Sequence, residues 1–140
     1  MILDTNVISE IMRPVPDPRV VAWFGETAGE QRYVTAITEA ELLFGIALMP
    51  AGKRRDDSAA AIARVLGVEM GSPALPFESG DAPFFAGVMS TRQRAGRPVS
   101  VVDAQIAAIA LRRGLPVVTR NTRDFEGCGV TLINPWKSQP

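Results

Sequence analysis

The stretch from Arg97 to Asp124 constrains the fold more than any other part of this chain. Pro98-Val99-Ser100 predicts a helix start and Gly114-Leu115-Pro116 its end; Val117-Val118-Thr119 then reads as a short strand, followed by Asn121 and Asp124. Between Val101 and Leu111 only Asp103 and Gln105 are polar, so this helix is expected to be buried on most sides. A carboxylate there is costly unless it has a partner. Ser100 and Asp103 fit a first-turn capping pattern in which the serine caps the helix and the acid reaches back to its amides.

Strand, helix and loop signals alternate along the rest of the chain. Met1 to Asp4 reads as an apolar strand, and Thr5-Asn6 begins a helix with Val7, Ile8, Ile11 and Met12 on one face, stopped by Pro14. Asp17-Pro18 opens a second helix through Trp23 and Phe24. Tyr33 to Ile37 predicts another strand, and Thr38-Glu39-Ala40-Glu41 matches a capping box for a helix that runs to Pro50. Residues 51–66 form a helix candidate whose Lys53, Arg54 and Arg55 read as a solvated face, and Ala74 to Phe77 is a weak strand. Asp81 reads as the cap of a helix that ends near Gly96, where Arg92, Arg94 and Arg97 complement its dipole. A tight connection at Gly127-Cys128-Gly129 leads to a last strand, Val130 to Ile133, and Cys128 has no evident role. This alternation predicts an α/β fold with a mostly parallel sheet and helices on both faces.

Composition narrows the chemistry. With 140 residues and 46% hydrophobic content, the chain can bury one core, and residues 1–140 are read as a single domain. Lys plus Arg equals Asp plus Glu at 15 each, so no global field draws it to nucleic acid or to a membrane, and any basic recognition must be local. One cysteine and no histidine exclude an internal disulfide, a Cys/His zinc site and a Ser-His-Asp or Cys-His mechanism. No charged leader precedes Ile2-Leu3 and no apolar run is long enough to span a bilayer, so the expected location is the cytoplasm. An enzyme of this composition works through carboxylates or a metal.

In a parallel sheet, ligands bind outside the carboxyl ends of the strands, the edge on which each following helix begins. Asp4, Glu41, Asp103 and the segment from Asn121 to Asp124 are all expected on that edge. Asp4 and Glu41 could each be a helix cap and Asp124 a turn residue, but several carboxylates together repel one another unless a cation is present. Oxygen-only ligands without His or Cys suit Mg²⁺, with Mn²⁺ as a substitute.

Four blocks carry a family resemblance: Met1-Ile2-Leu3-Asp4-Thr5-Asn6; Thr38-Glu39-Ala40-Glu41-Leu42-Leu43-Phe44-Gly45; Gly96 to Ser100 with Asp103 to Ala108; and Thr119 to Phe125 with Asn134-Pro135-Trp136. Together they resemble the PIN-domain ribonucleases of the VapC and FitB toxin type. The resemblance implies a three-layer PIN-like fold and a metal-dependent RNA endonuclease. It also implies a homodimer held inactive by a small DNA-binding antitoxin whose tail crosses the acidic groove. Asp4, Glu41 and Asp103 match the family's metal-binding acids, and Thr5 and Asn6 complete its first block. Asn121 stands where many PIN domains have an acid, with Asp124 one short turn beyond; Asp124 is expected as the charged outer ligand and Asn121 as the group that orients it. Arg120 and Arg123 are candidates for phosphate contacts, with loop solubility as the plain alternative.

Rival readings make different demands. A phosphatase with a strand-end Asp nucleophile usually has a second Asp two positions on, where this chain has Asn6. A dinucleotide-binding protein needs a glycine-rich turn after the first strand, and Asp4-Thr5-Asn6-Val7-Ile8 has none. The non-enzyme alternative is a PIN-fold module that only partners a DNA-binding regulator, which keeps the fold without needing the acids.

Overall fold

The computed structural model describes residues 1–137. Strands β1 (Ile2–Leu3), β2 (Val117–Val118) and β3 (Leu132–Ile133) form a parallel sheet in that order, with Ile2 opposite Val117 and Val117 opposite Leu132. Beyond β1 the sheet continues as single parallel bridges, Tyr33 to Ile2 and Leu75 to Thr35. The chain therefore steps outward from β1 to Leu75, then returns to lay β2 on the other flank of β1. Such a reversal opens a crevice at the carboxyl ends of the two central strands.

Side chains alternate across a strand, and here the alternation feeds two cores. Leu3 and Val118 face one core, shared with α1 (Thr5–Ile11), α2 (Pro18–Glu26), α3 (Ala36–Ala47) and α4 (Lys53–Arg64) through Val7, Ile8, Trp23, Leu42 and Ile62. Ile2 and Val117 face the other, with Val88 of α5 (Ala82–Arg94), Ile106 and Ile109 of α6 (Val101–Arg113) and Phe125 of α7 (Thr122–Phe125). The result is the predicted three-layer α/β arrangement. No helix among the described residues is long and apolar enough to cross a membrane.

Helix α6 follows its sequence signals in burial, in its serine cap and in its glycine stop, but among the described residues the Asp103 carboxylate makes no return bond to the first-turn amides and lines the crevice instead. Ala104 and every residue from Ile106 to Ala110 are buried, the Ser100 hydroxyl accepts from Asp103 N at 3.1 Å, and Gly114 closes the helix at φ +64°, where a side chain would be strained.

Several expectations are corrected. The strand predicted over Tyr33 to Ile37 is reduced to two isolated bridges, and Ala36 and Ile37 already belong to α3. The β-branched run is apolar enough for a strand, but Thr35 ends it by capping the helix, its hydroxyl accepting from Thr38 N at 3.1 Å. Thr38 is thus in the first turn rather than at the cap, and no capping box places Glu41. The helix expected over residues 51–66 starts at Lys53 and passes at Val65–Glu69 into a π-helical turn. Asp81 does not cap α5: its carboxylate accepts from Glu78 N at 2.7 Å and pairs with Arg113 at 2.9 Å. The last strand is only Leu132–Ile133, and the weak strand near Leu75 is a single bridge.

Arg92 is also not a surface partner of the α5 dipole. It is 6% exposed, and its guanidinium donates to the carbonyls of Arg97, Asp124 (3.0 Å) and Glu126 (2.6 Å), with Cys128 Sγ at 3.7 Å. One buried cation thereby ties the end of α5 to the α7 turn. Cys128 is packed in the second core beside it, and burial pushes its thiol pKa up.

The cap at Thr35 can be tested directly. Thr35→Ala should cost about 1 kcal/mol in urea unfolding, and Thr35→Ser, which keeps the hydroxyl, should recover most of it. Equal losses in the two variants would remove the hydroxyl from the argument.

Candidate active site

The crevice at the ends of β1 and β2 is a cleft of about 510 Å³ lined by Asp4, Thr5, Asn6, Glu41, Asp103 and Asn121, with Ser9, Glu10, Arg13 and Arg120 completing its wall. Asp4 follows β1 directly and is 6% exposed. Its Oδ1 accepts from Thr5 N (2.8 Å), and its Oδ2 accepts from Asn6 Nδ2 (3.0 Å) and from the Thr119 hydroxyl (2.8 Å). Capping and site geometry therefore coexist at Asp4, since the Thr5 amide is the first of the orphan donors of α1.

Asn6 explains why the second aspartate of a phosphatase pair is absent. Its amide donates to Asp4 and, at 3.2 Å, to Thr119 Oγ1, while its Oδ1 accepts from Arg120 N at 3.1 Å. An aspartate at position 6 could accept from Arg120 but could not donate to Asp4. Thr119, completely buried, stands between: it donates to Asp4 and accepts from Asn121 N at 3.0 Å. These bonds lock the end of β1 to the loop after β2.

Glu41 lies in the second turn of α3, exposed, and its Oε1 accepts from the Thr5 hydroxyl at 2.9 Å. Asp103 reaches the cleft from the first turn of α6. Burial raises the pKa of Asp4, against the lowering effect of its hydrogen bonds, and the charge of Glu41 raises it further. Burial likewise raises Asp103, with the charges of Asp4 and Asp124 adding to the shift. Among the described residues none of Asp4, Glu41 and Asp103 has an Arg or Lys ion-pair partner within 4.0 Å.

That uncompensated negative charge, on oxygen ligands alone, fits a hard divalent cation. Among the described residues no three acidic, histidine or cysteine side chains converge into a ready-made cage.

Asn121 and Asp124 part company. Asn121 lines the acidic cleft, whereas Asp124, exposed on α7, lines an adjoining cleft and reaches Asp103 only through its charge. Sequence reasoning gave no role in the cleft to Thr119, Glu10 or Arg13. A threonine closing an apolar strand opposite Asp4 was the available signal for the first. Glu10 is 6% exposed and accepts from Asp17 N at 2.8 Å while pairing with Arg13 at 3.3 Å, so it holds the α1–α2 connection in place. Its position on the buried side of α1 was visible only in the fold.

A cleft at the strand ends of a parallel sheet flanked by helices is the ligand-binding edge of an α/β domain. The chain belongs to the PIN domain family, which its residues 1–127 match. It is 39% identical to the VapC ribonuclease Y4jK of Sinorhizobium fredii, over 98% of each chain. It is 38% identical to Toxin FitB of Neisseria gonorrhoeae, over 97% of this chain and 98% of that one. Among solved structures, FitAB bound to a DNA fragment superposes with a TM-score of 0.88 at 35% identity, covering 99% of this chain and 97% of the other. VapBC-5 of Mycobacterium tuberculosis, a member of the VapBC family of toxin-antitoxin systems, gives 0.68 at 25% identity over 95% and 94%.

The raised pKa of Asp103 has a stability consequence with a definite sign. Between its usual value and the raised one the folded chain binds more protons than the unfolded chain, so this group's contribution to stability falls as pH rises through that window. Asp103→Asn should therefore be more stable than wild type at pH 7 in EDTA, with the advantage shrinking in acid. Denaturant titrations across pH check this, and a less stable variant at neutral pH would contradict it.

Proposed function

We propose that this protein is a Mg²⁺-dependent endoribonuclease, with Mn²⁺ as a substitute ion, and the toxin of a type II toxin-antitoxin pair, residues 1–140 acting as a single PIN domain. The observation that carries the reading is the set of three carboxylates, Asp4, Glu41 and Asp103, in one cleft at the switch point of the sheet, with no Arg or Lys paired to them within 4.0 Å among the described residues. The likeness to a VapC ribonuclease and to Toxin FitB supports RNA cleavage and the toxin role.

Asp4, Glu41 and Asp103 would hold the ion, with Asp124 adding negative charge from the adjoining cleft. When bound, a divalent cation supplies positive charge at the scissile phosphate and makes water a better nucleophile. The chain's own residues do the positioning. Thr119, Asn6 and the Thr5 amide hold the Asp4 carboxylate in one orientation, and the Thr5 hydroxyl holds Glu41. Asn121 offers an amide oxygen or N–H to a bound water or to substrate. No histidine base is needed, because the carboxylates can take up the proton.

A small DNA-binding antitoxin and a second copy of the chain are the proposed partners, and the work is done in the cytoplasm. The exposed apolar side chains Leu43 and Phe44 of α3 and Leu48 just beyond it (52%, 64% and 70% exposed) support a partner surface.

Asp103→Asn and Glu41→Gln should each abolish Mg²⁺-dependent cleavage of RNA by purified protein while the fold, followed by circular dichroism, is kept. Wild-type-like cleavage by either would remove that residue from the site, and by both would favour the non-catalytic partner module. Asp124→Asn should weaken Mg²⁺ affinity, read as the Mg²⁺ concentration needed for half-maximal cleavage, about 10- to 100-fold rather than abolish cleavage. Expression without the antitoxin should arrest growth, and expression of Asp103→Asn should not; harmless wild-type expression would count against the toxin role.

A further inference from the structure

The acidic cleft does not end at Arg120. A second cleft of about 470 Å³ adjoins it and shares two of its walls, Arg120 and Asn121. Its charge is reversed: among the described residues Arg120, Arg123 and Lys137 line it, with Asp124 as the one acid. Among the described residues neither Arg120 nor Arg123 has a carboxylate partner within 4.0 Å, whereas Arg13, the other arginine of the acidic cleft, pairs with Glu10.

Arg120 is also held in place. Its backbone N donates to Asn6 Oδ1 (3.1 Å), its carbonyl accepts from Asn134 Nδ2 (3.3 Å), and its guanidinium sits 5.5 Å from the ring centre of Trp136. Trp136 is buried, and its own amide donates to Asn134 Oδ1 at 3.0 Å. The nearby Asp17 carboxylate, which feels the charge of Arg120, is itself paired with Arg19, so a planar cation on an aromatic face with no acid within 4.0 Å among the described residues is left open to an anion. Because Asn6 also donates to Asp4, the same side chain sets the position of Arg120 relative to the acidic cluster.

We propose that Arg120 and Arg123 form a phosphodiester subsite, in which the backbone of a single-stranded RNA lying across the acidic cleft passes over Arg120 and continues into the second cleft. This rests on the nuclease reading and adds the path of the substrate. Phosphate contacts of this kind position a strand without reading its bases. Arg120 bridges the two clefts and binds the phosphate neighbouring the scissile one; Arg123 binds farther along.

The test is equilibrium binding of a fluorescein-labelled 12-nucleotide uridine oligomer in EDTA, where no cleavage occurs, by wild type, Arg120→Gln/Arg123→Gln and a control, Lys53→Gln/Arg54→Gln, that removes the same charge at the start of α4. The arginine variant should bind at least about tenfold more weakly, and the slope of log affinity against log salt should fall by about 1.4, at about 0.7 per single-strand phosphate contact. The control should match wild type. A thymidine oligomer should follow the same pattern, because the subsite touches phosphate and not the 2′-hydroxyl; an arginine effect confined to RNA would overturn a phosphate-only subsite. Unchanged affinity and slope in the arginine variant, an equal loss in the control, or no saturable wild-type binding would each overturn the proposal. Failure of the nuclease reading registers separately: with Mg²⁺ restored, wild type would leave RNA intact while the arginine-dependent binding persisted.

Discussion

Everything at the working edge of this protein depends on one buried carboxylate. Asp4 ends β1 inside the fold, where an ionised acid is costly, and its charge is tolerated because three donors from three directions meet it: the Thr5 amide, the Asn6 side chain and the Thr119 hydroxyl. Thr119 lies 115 residues away in sequence and is brought there by the parallel pairing of β1 with β2. The pairing builds the site, and the site's hydrogen bonds in turn cross-link the two strands. Burial still dominates, holding the Asp4 pKa above the ordinary carboxylate range. That imbalance is what a cation can relieve.

A neutral chain can carry strong local fields when its charges are sorted. Here Asp4, Glu41 and Asp103 line the inner cleft, Arg123 and Lys137 its continuation, and Arg120 the wall between the two. Several other charges are satisfied within the fold: Asp81 by Arg112 and Arg113, Glu10 by Arg13 and a backbone amide, and Arg92 by carbonyls. Arg92 is the buried counterpart of Asp4. It pairs with no acid and spends its donors on the α7 turn, fixing the backbone that carries Asp124, and its positive charge lowers the pKa of Asp103 against the rise that burial causes. The two edges of the cleft are thus held by opposite means, a carboxylate collecting donors and a guanidinium collecting carbonyls.

Much of this was legible in the amino-acid sequence. The apolar helix between Ser100 and Gly114, its caps, the strand after it and the first strand-to-helix junction follow from local rules, because capping and hydrophobic period act within a few residues. The placing of Asp4, Glu41 and Asp103 on one edge followed from the alternation of strands and helices alone. What depended on distant partners was out of reach. The run from Tyr33 to Ile37 has strand composition, yet Thr35 turns it into a helix as soon as it has bridged Ile2 and Leu75. Arg92 has the position of a surface arginine at a helix end, and only the packing of α7 over it makes it a core residue.

By itself, then, the sequence determined the class of fold and the sheet edge on which Asp4, Glu41 and Asp103 come together, since the alternation of strands and helices fixes which junctions share an edge. Only the tertiary structure decided that Asn6 and Thr119 hold Asp4, that Glu41 answers to Thr5 rather than to a capping box, and that Asn121 lines both clefts while Asp124 lines only the outer one. The physical reason is range. Periodicity and caps are settled by neighbours along the chain, whereas hydrogen-bond partners, burial and the sharing of a cleft wall are settled by which strands pair across more than a hundred residues of sequence.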